Sequence, residues 1–176
     1  MYTGKPESNP STDLSFPLLY QIQHQDYVSD IPFWLDLCRI HGDPILELGC
    51  GTGRVLIPLA EAGYNIYGLD HNLEMLTLCR QRISETIVNQ VQAFQADLTA
   101  FHMDTHFHLI ILPCNTFSTL EENARISTIK NVHTHLLPRG VFAFSIPNPE
   151  IMAEIKSSTN SEIEKIISHP VTGDPI

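Results

Sequence analysis

The sequence is short of basic residues. Lys and Arg total 10 against 20 Asp and Glu, and the formal net charge is -10. A protein built to hold a phosphate backbone needs concentrated Lys and Arg, so nucleic acid is disfavoured as a partner. Long apolar runs are lacking too. None approaches the roughly 20 residues of a membrane-spanning helix, so no membrane partner is expected. The opening residues Met-Tyr-Thr-Gly-Lys-Pro-Glu-Ser lack the apolar core of a secretory signal. The cysteines, at positions 38, 50, 79 and 114, form no pair with metal-like or redox-motif spacing. They read as reduced small hydrophobes, with Cys38 and Cys79 on apolar helix faces, and imply a cytoplasmic protein. No phosphate loop of the type G-x-x-x-x-G-K-[ST] occurs.

What is present suffices for one folded domain. The 176 residues are 43% hydrophobic and 17% charged, a globular balance. Residues 1–17, rich in Pro, Ser, Thr and Asn, read as a disordered arm. Residues 18–150 form the domain. Residues 151–176 read as the start of a substrate-covering or C-terminal segment.

Within the domain, strand and helix patterns alternate. Ile31, Trp34, Leu35 and Cys38 make a helical stripe, with Ser29 or Asp30 as N-cap and Gly42 and Pro44 as its end. Ile45, Leu46 and Leu48 form a buried strand, followed by glycines at 49, 51 and 53 and a helix to about Ala62. Tyr64 to Leu69 is a second strand with Asp70 at its end. Leu73, Leu76, Cys79 and Ile83 mark another helix. Val91 to Gln95 and Phe107 to Leu112 are the third and fourth strands. A helix from Glu121 to Leu137 precedes a fifth strand, Val141 to Ile146. Such alternation predicts a parallel sheet with helices on both faces. Ligands of such sheets bind outside the carboxyl ends of the strands. That edge gathers the glycine turn, Asp70, Asp97 and Pro113 to Phe117.

A glycine turn between a strand and a helix aims backbone N–H groups and a helix N-terminus at a ligand. Dinucleotides prefer G-x-G-x-x-G, but Arg54 and Leu56 occupy the third-glycine positions of the two available registers, which disfavours a nicotinamide dehydrogenase. The observed pattern is Glu-x-Gly-x-Gly-x-Gly. Here the sequence resembles the class I S-adenosylmethionine-dependent methyltransferases. Glu47-Leu48-Gly49-Cys50-Gly51-Thr52-Gly53 is similar to their first motif. Asp70, Ala96-Asp97-Leu98, Pro113-Cys114-Asn115-Thr116-Phe117 and Leu137-Pro138-Arg139-Gly140-Val141 fall at the later motif positions, in order. The resemblance covers roughly residues 18–149.

The resemblance implies an α/β fold. This is a Rossmann-like doubly wound sheet of strand order 3-2-1-4-5 in a three-layer αβα sandwich. The family's sixth and seventh strands are not evident, and the chain reads as C-terminally truncated. S-adenosyl-L-methionine is the implied cofactor. Gly49, Cys50, Gly51, Thr52 and Gly53 would lie against its methionine part, with Glu47 supporting the turn or the amino group. Asp70 would take the ribose hydroxyls and Asp97 the adenine amino group, with Leu98 against the ring and His71, Asn72 and Met75 flanking it. Tyr20, followed by Asp26-Tyr27, resembles small-molecule N-methyltransferases and would cover the sulfonium. Asn115, Thr116 and Phe117 would shape the floor under the methyl group. No catalytic residue is identified, the candidates being Asn115, Tyr20 and His24.

The implied activity is methyl transfer to a small-molecule N or O acceptor by in-line displacement. The alternatives are a catalytically incomplete cofactor-binding module and a protein or RNA methyltransferase. A homodimer is one way to cover the fifth strand's edge. No metal is expected: His102, Asp104, His106 and His108 precede an apolar strand and no second ligand pair has suitable spacing. His133 and His135 are expected at the surface, and Glu121-Glu122 at a helix N-terminus.

Overall fold

The structure is a computed structural model that describes residues 15–150. The elements run α1 Phe16–His24, α2 Ile31–His41, β1 Ile45–Leu48, α3 Leu56–Glu61, β2 Ile66–Asp70, α4 Leu73–Arg82, β3 Val91–Gln95, β4 Phe107–Leu112, α5 Thr116–Thr119, α6 Glu122–His135 and β5 Leu136–Phe144. The strands pair in the order β3-β2-β1-β4-β5, and every pairing is parallel.

Alternation along the central strands sorts side chains to two cores. On one face Ile45, Ile66, Leu109 and Ile111 pack under Trp34 and Cys38 of α2, Leu56 and Leu59 of α3, and Leu76 and Cys79 of α4. On the other, Leu46, Leu48, Leu69, Ile110 and Leu112 pack under Phe101, Phe107 and Val132 of α6. The result is the expected three-layer α/β sandwich. Strands β1 and β4 are buried almost throughout, as central parallel strands must be.

Several boundaries differ from the sequence-based expectation. Phe16 and Pro17, expected within the arm, instead open α1, where proline's fixed φ suits a first helical turn. The second strand begins at Ile66 and includes Asp70. The helix expected to reach Leu137 ends at His135, and Leu136 is already extended. The segment 137–140, which precedes the expected start of the fifth strand, lies inside β5 as an irregularity. Phe107 pairs with Leu136, but Leu109 pairs with Val141, and Arg139 there has φ +68°. The short helix α5 has no apolar period and was not foreseen.

Two polar expectations are also corrected. Asp30 precedes α2, but its side chain caps nothing. It accepts instead from Trp34 Nε1 at 3.0 Å and from Arg54. His135, expected at the surface, is 4% exposed. Its Nε2 accepts the Met103 N–H at 3.1 Å and its Nδ1 lies 2.8 Å from the Asn131 carbonyl, so both ring nitrogens are partnered. The expected arm at residues 1–14 and the expected covering segment at 151–176 lie outside the described residues.

Candidate active site

The turn after β1 takes a backbone conformation that favours glycine. Gly49, Gly51 and Gly53 have φ of +65°, +54° and +85°, a region that costs other residues about 1–2 kcal/mol. At Gly51 an added Cβ would meet nothing within 4 Å, because it would point into open space. At Gly53 it would stand 2.8 Å from Cys79 Sγ, so here the turn packs directly on α4.

Asp70, at the end of the neighbouring strand β2, holds this turn in place. Its Oδ2 accepts the Gly51 N–H at 2.9 Å and its Oδ1 the Asn72 N–H at 2.8 Å. The Asn72 side chain then caps α4 through the Glu74 and Met75 N–H groups. Each carboxylate oxygen of Asp70 retains acceptor capacity beyond its one backbone bond. One strand further out, Asp97 Oδ1 accepts the Thr99 N–H at 2.8 Å and the Thr99 hydroxyl at 2.7 Å. Those two hydrogen bonds hold its carboxyl below the ordinary value.

These pieces enclose a cavity of about 540 Å³, lined by Phe16, Tyr20, Gly49, Gly51, Leu69, Asp70, His71, Asn72, Met75, Ala96, Asp97, Leu98, Thr99, Thr116 and Leu120. Of the residues singled out from sequence, Tyr20, Gly49, Gly51, Asp70, His71, Asn72, Met75, Asp97, Leu98 and Thr116 therefore meet on one surface. Tyr20 enters from α1 and stacks on His24, ring centroids 4.1 Å apart. Burial, and then the neighbouring Cys114 thiol, push its phenol up to about 12.

The others stand behind or beside the cavity. Cys50 and Gly53 face the α4 side of the turn. Thr52 is buried and donates to Gln21 Oε1 at 2.6 Å. Glu47 points into the buried layer beneath the turn, where burial, with Cys79 close by, pushes its carboxyl well above the ordinary range. Its Oε2 has no partner among the described residues. His24 lies behind Tyr20, its Nδ1 2.9 Å from the Tyr20 carbonyl. Asn115 is exposed with φ +58°, and its N–H donates to Ser145 Oγ at 3.0 Å. Phe117 turns away to Phe144 at 4.4 Å between centroids. Of the expected floor, Thr116 alone lines the cavity.

The rest of the lining is Leu69 and Ala96, already placed at the strand ends, with Phe16, Thr99 and Leu120, which had not been singled out. Leu69, Ala96 and Thr99 adjoin the two aspartates, and Asp-x-Thr is itself the signal of a side-chain turn. Phe16 was hidden in the polar arm and Leu120 behind the unforeseen α5. Among the described residues no group of three His, Cys, Asp or Glu side chains could hold a metal.

Known proteins match this arrangement. The family model described as a methyltransferase domain covers residues 45–140. A putative methyltransferase of Bacillus subtilis, YqeM, is 30% identical over 139 residues, covering 77% of this chain and 56% of that protein. The dTDP-3-amino-3,6-dideoxy-alpha-D-glucopyranose N,N-dimethyltransferase of Streptomyces fradiae is 23% identical, covering 79% and 55%. The crystal structure of Streptomyces venezuelae DesVI superposes with a TM-score of 0.66 at 19% identity, over 90% of this chain and 66% of that one. The chain spans about half the length of the curated relatives it matches. With this match across its glycine turn and strand ends, the chain belongs to the class I S-adenosylmethionine-dependent methyltransferase family.

Proposed function

We propose that this chain forms the donor site of a methyltransferase that moves a methyl group from S-adenosyl-L-methionine to a small-molecule N or O acceptor. The observation that carries the reading is the convergence of Gly49, Gly51, Asp70 and Asp97 on one cavity. The open space at Gly51 would admit the methionine part of the donor, with the main chain as its wall. Asp70 would accept from the ribose hydroxyls while holding the turn. Asp97 would accept from the adenine amino group, with Leu98, His71, Asn72 and Met75 around the ring. Tyr20 would cover the reacting end.

The donor supplies a methyl carbon already activated by its sulfonium. The chain's task is therefore alignment and exclusion of water. Tyr20, with its phenol at about 12, keeps its proton near neutral pH and acts there as a hydrogen-bonding wall rather than a base. The acceptor class follows the named amino-sugar methyltransferase among the relatives. We place the protein in the cytoplasm, in keeping with its free thiols at Cys38, Cys50, Cys79 and Cys114. A homodimer through the β5 edge belongs to the same proposal. No helix among the described residues is long and apolar enough to cross a membrane.

Thermal unfolding with S-adenosylmethionine, S-adenosylhomocysteine and NAD tests the donor assignment. A ligand at a hundred times its dissociation constant stabilises by about 2.7 kcal/mol. Both sulfur compounds should raise the melting temperature, and a rise with NAD alone would sink the assignment. Product mass detection across an acceptor panel then separates turnover from binding without turnover.

A further inference from the structure

Helix α1 supplies two side chains to the donor cavity, Phe16 and Tyr20, which stand one turn apart on the same helix face. Gln21 lies on the neighbouring face, and there α1 is tied to two other elements. Gln21 Oε1 accepts the Thr52 hydroxyl at 2.6 Å and Arg82 Nη1 at 2.8 Å. Arg82 Nη1 also donates to the Thr52 carbonyl, which closes a ring of contacts among the three residues. Arginine can only donate, so the amide oxygen of Gln21, and not its nitrogen, must face Arg82. One acceptor therefore joins α1, the glycine turn and the end of α4.

Each partner is itself held. Thr52 is buried, so its hydroxyl depends on Gln21 rather than on water. Arg82 is the last residue of α4, where the helix dipole favours a cation. The opposite end of α4 is capped by Asn72 and brings Met75 to the cavity. Helix α1 lies against α4, and Pro17 and Leu18 share a groove with Thr77 and Leu78. Beyond α1 the chain is anchored again, at a wall beside the cavity. There Arg54 donates to the Tyr27 carbonyl and to Asp30 Oδ1, both at 2.7 Å, and to Cys114 Sγ at 2.9 Å. Of these two anchors Gln21 is the one inside α1, next to Tyr20, so a shift of the helix there moves the cavity lining directly.

We propose that Gln21 is a positioning residue, which locks α1 as a roof over the donor cavity by sharing its amide oxygen between Thr52 and Arg82. The inference rests on the methyltransferase reading and adds to it the residue that sets the roof. Gln21 is not among the residues that line the cavity, and it acts through Phe16 and Tyr20, which are. Thr52 belongs to the turn that would hold the methionine part of the donor, so turn and roof are set together.

The test uses the 176-residue chain and calorimetric titration with S-adenosylhomocysteine. Gln21→Met keeps the side chain's length but removes the acceptor, and should weaken binding about tenfold. Gln21→Glu keeps an oxygen toward both donors and should bind like the wild type. A role in packing alone would give the opposite order, with Met tolerated and Glu not, and that order would overturn the inference. Arg82→Met should reproduce most of the loss, and reads the lock from the α4 side even if Gln21→Met does not fold. In a chain carrying Phe16→Ala and Tyr20→Ala, Gln21→Met should cost nothing more. A further loss of about tenfold there would overturn the inference, because Gln21 would then act through the turn and not the roof. Wild-type affinity in both Gln21→Met and Arg82→Met would also overturn it, with the donor site left standing. Absence of binding to the wild type would overturn the methyltransferase reading and this inference with it.

Discussion

The donor half of the site and the wall beside it are built differently. The donor half uses short links between strand ends that are already neighbours. Asp70 reaches Gly51 across one strand pairing and Asn72 two residues on, and Asp97 closes on Thr99. The wall depends on a side chain crossing between distant segments. Arg54 reaches Asp30, 24 residues earlier, and Cys114, 60 residues later. The first kind of construction is set by sheet topology and survives small changes around it. The second fails as a unit when one member is lost.

Removing Asp70 attacks the donor half hardest. Asp70→Ala deletes the acceptor of two backbone N–H groups and the proposed partner of the ribose. S-adenosylhomocysteine affinity should fall about a hundredfold or more, since charge-assisted hydrogen bonds contribute about 1.5–3 kcal/mol each. Calorimetric titration reads it, and an unchanged dissociation constant would show that the carboxylate serves only the turn. Gly53→Ala comes next. A Cβ there meets Cys79 Sγ at 2.8 Å on a backbone of φ +85°. Urea unfolding should show a loss of about 2–3 kcal/mol from strain and overpacking together. A loss below about 0.5 kcal/mol would mean the turn relaxes readily.

The gentlest probe is acid, applied to the wall. Burial raises the Asp30 pKa, but hydrogen bonds from Arg54 and Trp34 outweigh it and leave the carboxyl below its ordinary 3.8. A lowered native value means the contribution is complete above the ordinary value and lost as pH falls through the native one. Trp34 is the chain's single tryptophan and bonds Asp30 directly. Its fluorescence should stay constant from about pH 7 to 5 and change only below about 3.8. In Arg54→Lys the change should move to higher pH, and an identical titration would break the contrast between the two halves.

The same contrast explains what could be read from the sequence. Glycine spacing, Asp70 and Asp97 are local patterns at strand ends, and the apolar periods of β1 and β4 leave their order little freedom. The two-layered core follows from that alternation. The Asp30–Arg54–Cys114 chain has no local pattern, because its members meet only after the sheet has formed. Arg54 could be read in sequence only as a residue that spoiled a dinucleotide motif. Helix α5 is too short for a period to show, and Phe117 turned out to serve the β5 side. His135 looked like an exposed helix histidine because the Met103 N–H that needs it lies 32 residues away.

The irregularity in β5 bears on the outer edge of the sheet as the described residues form it. An open edge strand is a template for any extended chain that drifts alongside. Here the first part of the edge carries Pro138, which has no N–H to offer, and Arg139, exposed and left-handed. Gly140 completes the bend, where a Cβ would crowd the carbonyl oxygens of Leu137 and Phe107 at 2.9 Å. A strand cannot zip along such a corner. Regular pairing with β4 resumes at Val141–Phe144. Among the described residues the bulge thus breaks the regular ladder along this edge, the kind of irregularity that discourages the sliding contacts that begin aggregation.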